Sequence, residues 1–203
     1  VEVAPFTFEA DPNLDRELAS LNLEQLSRFT YQEVPLGELV LPAARWILRR
    51  HHLQDDLVTR RILREYIRSA WSLKNQFEAL LDAVKPFAGA VYNGMMYPEA
   101  MARWVGRQKG LPVYSYEVGL RPLSAFFTSG DATAYPLELP AGFELSAEQN
   151  ARLDAYLQQR FDGNFIMAGV KFWPEMSRLD KEFLELASHF QQMVTIFTNV
   201  IFY

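Results

Sequence analysis

The segment Glu117-Val118-Gly119-Leu120-Arg121-Pro122 is where residue type and spacing most directly offer chemistry. A carboxylate at the end of a strand accepts a proton from a hydroxyl or hydrogen-bonds it, and a nearby guanidinium holds a carboxylate or a phosphate. Glu117 is therefore the candidate base and Arg121 a positioning charge, with Gly119 between them as a further substrate-binding position. The plain alternative is an ion pair between Glu117 and Arg121 that pins the loop.

A second candidate is Asn93-Gly94-Met95-Met96-Tyr97. The Asn93 amide both donates and accepts, which suits a sugar hydroxyl, and Gly94 lets the backbone turn sharply. Glu99, in the first turn of the helix that follows, would repel an anion there, so a neutral polar ligand is expected rather than a phosphate. The plain alternative is that Asn-Gly is simply a turn. The small hydroxyl residues around Gly130, in Ala125 to Tyr135, can line a polar pocket, but a hairpin turn explains them more simply.

Seven of the 20 basic residues, Arg45, Arg49, Arg50, Arg60, Arg61, Arg64 and Arg68, lie within 24 positions. They make a basic helix face that either approaches anionic lipid or an acidic chain, or is solvated and paired with neighbouring acids. Gly163 to Pro174, rich in aromatic residues, reads as a core-crossing segment, or else as a surface for a second domain or lipid. His51-His52 is a poor metal site because adjacent helical residues diverge by about 100°. No GxGxxG, GxxxxGK[ST] or GxSxG motif occurs.

The elements that must position these residues follow from periodicity. Asp11-Pro12-Asn13 starts a helix whose leucines 14, 18, 21 and 26 run toward Phe29, and Glu38 to Arg50 is a second helix. Asp55-Asp56 opens a long third helix, which Lys85-Pro86 stops. Phe87 to Tyr92 then reads as a buried strand, Pro98 to Lys109 as a helix capped by Gly110, and Val113 to Tyr116 as a second strand. Such a strand–helix–strand unit is parallel and right-handed. Ser146 and Gln149 form a capping box for a helix to Phe161, and a helix from about Ser177 to His189 precedes a last strand around Phe197. The expectation is an α/β protein with residues 1–85 as a helical segment packed on the sheet and 86–203 as the α/β core, together one domain. In open parallel sheets ligands bind outside the carboxyl ends of the strands, which selects the loops after Tyr92, Tyr116 and Phe197.

Composition fits a folded chain. Of 203 residues 49% are apolar and 22% charged, and the net charge of −5 gives no global field for nucleic acid. The absence of cysteine excludes disulfides, thiolate metal sites and cysteine nucleophiles, and three histidines leave little for a metal, so none is expected. The uncharged stretch Leu186 to Tyr203 carries too many polar residues for a membrane helix. The chain opens on Val1 without a leader pattern and stops inside the apolar run Met193 to Phe202, so a fragment of a longer protein is expected.

Pro86 to Tyr92, Asn93-Gly94, Tyr97-Pro98-Glu99, Gly110-Leu111-Pro112-Val113 and Glu117-Val118-Gly119-Leu120-Arg121-Pro122, taken in order, resemble bacterial surface and capsular polysaccharide glycosyltransferases. The tail Phe197 to Phe202 is similar to the strand closing the first half of those enzymes. The resemblance covers most of residues 36–203 and is sharpest between 86 and 135. It implies a GT-B architecture of two facing Rossmann-like domains, with this chain as the amino-terminal, acceptor-side half. Such an enzyme moves a sugar from a nucleotide-sugar donor to a capsule or envelope glycan. The donor would bind a carboxyl-terminal domain of the same chain, absent here, so no cofactor is expected in this half and the fragment alone would be inactive. Glu117 would serve as base or acceptor ligand, Asn93 and Gly94 as acceptor ligands, and Gly119 and Arg121 as further binding positions. The implied partners are a carbohydrate acceptor and no nucleic acid. The implied location is cytoplasmic, with peripheral contact at the inner face of the plasma membrane. The competing reading is a non-catalytic Rossmann-like carbohydrate-binding or assembly module.

Overall fold

The computed structural model describes residues 4–119, 121, 123–162, 166–167, 170–171 and 180–190. Contacts divide these residues into two units, one comprising residues 4–117 with Phe126–Pro136, the other the described residues of Val118–Ala125 and those from Leu137 onward.

The first unit begins with helices. Asp11 caps α1 (Pro12–Leu18), its side chain accepting from the amides of Asn13 and Leu14. The single helix expected from residue 12 toward Phe29 is in fact two, because Asn22 starts α2 (Leu23–Ser27) with a reciprocal capping box to Gln25. The break is stabilised from a distance: Arg64 donates to the carbonyls of Leu18 and Leu21 at 3.0 Å each, carbonyls that a continuous helix would have bonded internally. α3 spans Leu36–Leu48. α4 spans Leu57–Val84, capped by Asp56 at one end and by Lys85 in the left-handed region at the other, before Pro86. The extended opening is pinned to α4 through Ser72 and Gln76, which bond the backbone of Thr7 and Glu9.

The buried core unites Leu14, Leu18 and Leu26 with Val40, Leu63 and Ile67, and with Met101 and Val105 of α5 (Tyr97–Gln108). α5 packs against α3 and α4 on one side and β1 (Gly89–Tyr92) on the other, so it couples the helical core to the sheet. Gly106 makes that approach possible: a Cβ there would collide with Cγ2 of Val113.

β1 pairs in parallel with β2 (Val113–Val118), in the register Gly89↔Val113 through Tyr92↔Tyr116. The strand–helix–strand expectation holds, with Gly110 in the left-handed region at φ 68° after the helix. Phe87 does not join the strand and is 94% exposed. β3 (Ala125–Thr128) lies next to β2, completing a three-stranded sheet of order β1–β2–β3.

This is a mixed α/β arrangement and not a clear Rossmann fold, which corrects the expected parallel sheet layered with helices. The link from β2 to β3, residues 119–124, is too short for the crossover of a dozen or more residues that a parallel neighbour requires. Nor does a hairpin form at Gly130: β3 leads into a 3-10 turn, Ala132–Ala134.

In the second unit α6 (Ala147–Phe161) carries the expected Ser146–Gln149 capping box. β4 (Ile166–Met167) and β5 (Val170–Lys171) pair antiparallel, and α7 (Lys181–Ser188) is capped by Asp180. The strand expected around Phe197 and most of the aromatic segment 163–174 lie outside the described residues.

Candidate functional site

One register step beyond Tyr92↔Tyr116 stand Asn93 and Glu117, at the carboxyl edge of the parallel pair. Asn93 Nδ2 donates to Glu117 Oε1 at 2.8 Å. The Asn93 backbone, at φ 61°, donates to the Tyr116 carbonyl at 2.7 Å, and its Oδ1 accepts from the Met95 amide at 3.1 Å. The side chain is thus held at both ends, and it fixes the carboxylate it touches.

Gly94 follows at φ 86°. A Cβ there would lie 2.9 Å from Ser115 Cβ and closer still to its Oγ, so both conformation and space require glycine. The Gly94 carbonyl accepts from the Arg103 guanidinium at 2.8 Å, and Arg103, itself buried, ion-pairs with Asp131. Ser115 Oγ donates to the Gly130 carbonyl at 2.8 Å. These bonds lash the turn after β1 to the segment after β3, a brace that sequence reading did not anticipate. The small residues around Gly130 were its only sequence signal.

Glu117 is 8% exposed. Burial pushes the Tyr92 phenol above its usual value, and the Glu117 charge and a hydrogen bond to Glu117 push it the same way. Tyr135 is raised by burial and then by the Glu117 charge. Both phenols therefore remain protonated near neutrality and available as donors beside the carboxylate.

The structure brings Asn93, Gly94 and Glu117 together in the first unit. Gly119 and Arg121 belong to the second. The Gly119 amide donates to the Ser124 carbonyl at 2.8 Å, and the Arg121 carbonyl accepts from Ser124 Oγ at 2.6 Å, closing a compact turn. Arg121 lines a concavity of about 690 Å³ with Gln149, Arg152, Leu153, Tyr156 and others of α6. In the first unit, Gly94 and Met95 line a cavity of about 440 Å³ with Glu38, Arg103, Trp104 and Asp131.

The arginine run divides into two groups. Arg50 lies 3.7 Å from Asp56, Arg60 bonds Asp55 at 2.6 Å, Arg64 caps α1, and Arg68 bonds Asp15 and Glu65. Arg45, Arg49 and Arg61 have no ion pair among the described residues. Among those residues, no group of three or more His, Asp or Glu side chains converges on a possible metal position, and no helix is long and apolar enough to cross a membrane. No family model matches the chain, and no curated protein and no solved structure matches it.

Proposed function

We propose that the carboxyl edge of β1 and β2 is the acceptor-binding side of a glycosyltransferase that builds a surface polysaccharide from a nucleotide-sugar donor. The observation that carries this reading is the 2.8 Å bond from Asn93 to Glu117, which presents a buried carboxylate in a fixed orientation at the strand ends. Carboxyl ends of parallel strands are where α/β folds bind ligands.

In this reading the Glu117 carboxylate takes the proton of the acceptor hydroxyl as that oxygen attacks the anomeric carbon of the donor. The bond from the anomeric carbon to the nucleoside diphosphate breaks, and the departing diphosphate carries the electron pair. Asn93 orients the carboxylate, and the Tyr92 phenol donates to it. A cavity of about 440 Å³ adjoins the site at Gly94, with Trp104 and polar groups on its wall, while Glu117 and Asn93 are not among the residues that line it. The finer architecture, an acceptor-side half of a GT-B enzyme whose donor binds a second domain, rests on the β1–α5–β2 unit together with the motif resemblance.

The test is release of nucleoside diphosphate from a panel of nucleotide sugars by the full-length protein. Glu117→Gln is expected to lower kcat by about a hundredfold or more. Near-normal turnover in that variant would remove Glu117 from the chemistry. Silence with every donor, in the presence of carbohydrate binding, would establish the non-catalytic module instead.

A further inference from the structure

Of the seven asparagines in the chain, only Asn93 precedes a glycine. In that dipeptide no Cβ shields the backbone nitrogen after the asparagine, so this nitrogen can attack the side-chain carbonyl carbon and expel ammonia. The proposed site uses Asn93 to orient Glu117 but makes no use of this reactivity.

The fold holds each group of that reaction out of position. Attack requires the Gly94 nitrogen to approach Cγ of Asn93 and to give up its proton. The Gly94 amide instead donates to the Tyr92 carbonyl at 2.6 Å, and with Asn93 at φ 61° this closes a three-residue turn of the rare left-handed kind. Cγ cannot swing toward the nitrogen because the side chain is tied at both ends. Its Nδ2 donates to Glu117 Oε1 at 2.8 Å, and its Oδ1 accepts from the Met95 amide at 3.1 Å. Gly94 is buried, and its carbonyl is anchored by the Arg103 guanidinium at 2.8 Å, so the next peptide plane is fixed as well. Of the two bonds on the Asn93 side chain, the one to Glu117 comes from another strand, 24 residues away, and has an ionisable acceptor.

We infer that Asn93 is a spontaneous deamidation site that its bond to Glu117 keeps latent. When that bond opens, the Gly94 nitrogen bonds to Cγ, the bond from Cγ to Nδ2 breaks, and Nδ2 leaves as ammonia with the proton from Gly94. Water then opens the five-membered imide to aspartate or isoaspartate. Either product sets a second carboxylate against Glu117, where like charges oppose one another, and isoaspartate also lengthens the main chain between β1 and α5. The reaction therefore destroys the pair that suppressed it. The inference rests on the bond itself and stands whether or not this edge binds a sugar acceptor.

The test is incubation of the full-length protein in warm, mildly alkaline buffer, with a synthetic peptide of residues 90–97 as the unstructured reference. The readout is the mass of the digest peptide that carries Asn93. Wild type is expected to react at least about tenfold more slowly than the reference peptide, because only the opened fraction reacts. Glu117→Ala should accelerate the reaction about tenfold, the factor for losing one hydrogen bond to a charged group. Glu117→Gln should fall between the two, since its amide oxygen still accepts but carries no charge. Circular dichroism reports whether each variant is folded, and should Glu117→Ala fail to fold, the order of wild type and Glu117→Gln decides. Reaction of native wild type at the peptide's rate overturns the inference, and so do folded variants that react no faster than wild type. A wild type faster than Glu117→Gln would show that the carboxylate promotes the cyclisation, which overturns it too.

Discussion

Replacing Asp11 by alanine removes four hydrogen bonds that join three separate parts of the first unit. Asp11 Oδ1 accepts from the amides of Asn13 and Leu14 at 2.9 and 3.3 Å, and Oδ2 accepts from the Tyr31 hydroxyl and the Trp71 indole at 3.1 Å each. Tyr31 and Trp71 are 6% and 5% exposed, and their rings meet edge-on at 4.9 Å, so water cannot readily replace the lost acceptor. Loss of the cap costs about 1 kcal/mol, and each stranded donor costs about 1 kcal/mol more. The sum of about 3 kcal/mol corresponds to a fall in Tm of about 10 °C for a chain of this size. Burial pushes the Asp11 carboxyl up, but the four hydrogen bonds together outweigh it and hold the group below its ordinary value of 3.8. A depressed carboxylate contributes stability that is complete above the unfolded value and is lost as pH falls through the folded one. The gap between wild type and Asp11→Ala, measured by thermal melts followed by circular dichroism, should therefore be full at about pH 7 and should shrink below about pH 4. Asp11→Ala combined with Tyr31→Phe should cost less than the two changes separately, because they share a bond. A variant melting within about 1 °C of wild type at neutral pH, or a gap that widens on acidification, would refute the reasoning.

Two glycines give further tests. At Gly37 a Cβ would stand 2.6 Å from the Phe29 amide and closer to the Leu26 carbonyl, and since backbone cannot yield as a side chain does, Gly37→Ala should cost about 2 kcal/mol or more in urea unfolding. A change under about 0.5 kcal/mol would show that α3 can retreat from α2 freely. Gly94→Ala meets both a left-handed backbone and the Ser115 side chain, so a loss of about 1–3 kcal/mol is expected, with partial recovery when Ser115→Gly is added. No recovery would place the whole cost in the backbone.

What the sequence made legible is what local rules govern. The long helix α4 announces itself by its apolar spacing, the Asp56 cap and the Lys85-Pro86 stop, and the β1–α5–β2 unit by Pro98, Gly110 and two short apolar runs. Asn93 and Glu117 were each legible as a candidate at a strand end, but the pairing read from the sequence was Glu117 with Arg121, and the bond from Asn93 to Glu117 was not legible. The break between α1 and α2 was only half legible: Asn22 and Gln25 spell a capping box, but Arg64 completes it from 43 and 46 residues away. The Arg103–Asp131 pair joins residues 28 apart across a strand and a turn, and no periodicity reports such a bond. The third strand was not legible: Ala125 to Tyr135 reads as a turn around Gly130, whereas β3 occupies Ala125–Thr128, reached from β2 over six residues, too few for a parallel crossover. In the arginine run, composition cannot distinguish Arg64, which caps a helix, from Arg61, which faces solvent.

The ligand expected at the strand ends can be narrowed by asking what holds each charge there. Arg103 and Arg107, the two arginines of α5 on the cavity beside Gly94, are already bonded, the first to Asp131 and the Gly94 carbonyl and the second to the Ser129 carbonyl at 2.8 Å. A phosphate placed there would have to compete with a carboxylate for Arg103 and would also face Glu38 and Asp131. Glu99 in the first turn of α5 opposes an anion at that helix end for the same reason. Across the strand ends Glu117 is oriented by a neutral amide and by a phenol kept protonated, groups that hydrogen-bond a carboxylate without cancelling its charge. A hydroxyl-bearing, uncharged ligand meets none of these repulsions in the cavity, and at the strand ends, whose Glu117, Tyr92 and Tyr135 do not line that cavity, it finds an acceptor in the carboxylate and donors in the phenols. On the proposed transferase reading, the electrostatics of this edge suit an acceptor hydroxyl better than a phosphoryl group, and the donor diphosphate would be held by groups other than those of the β1–β2 edge.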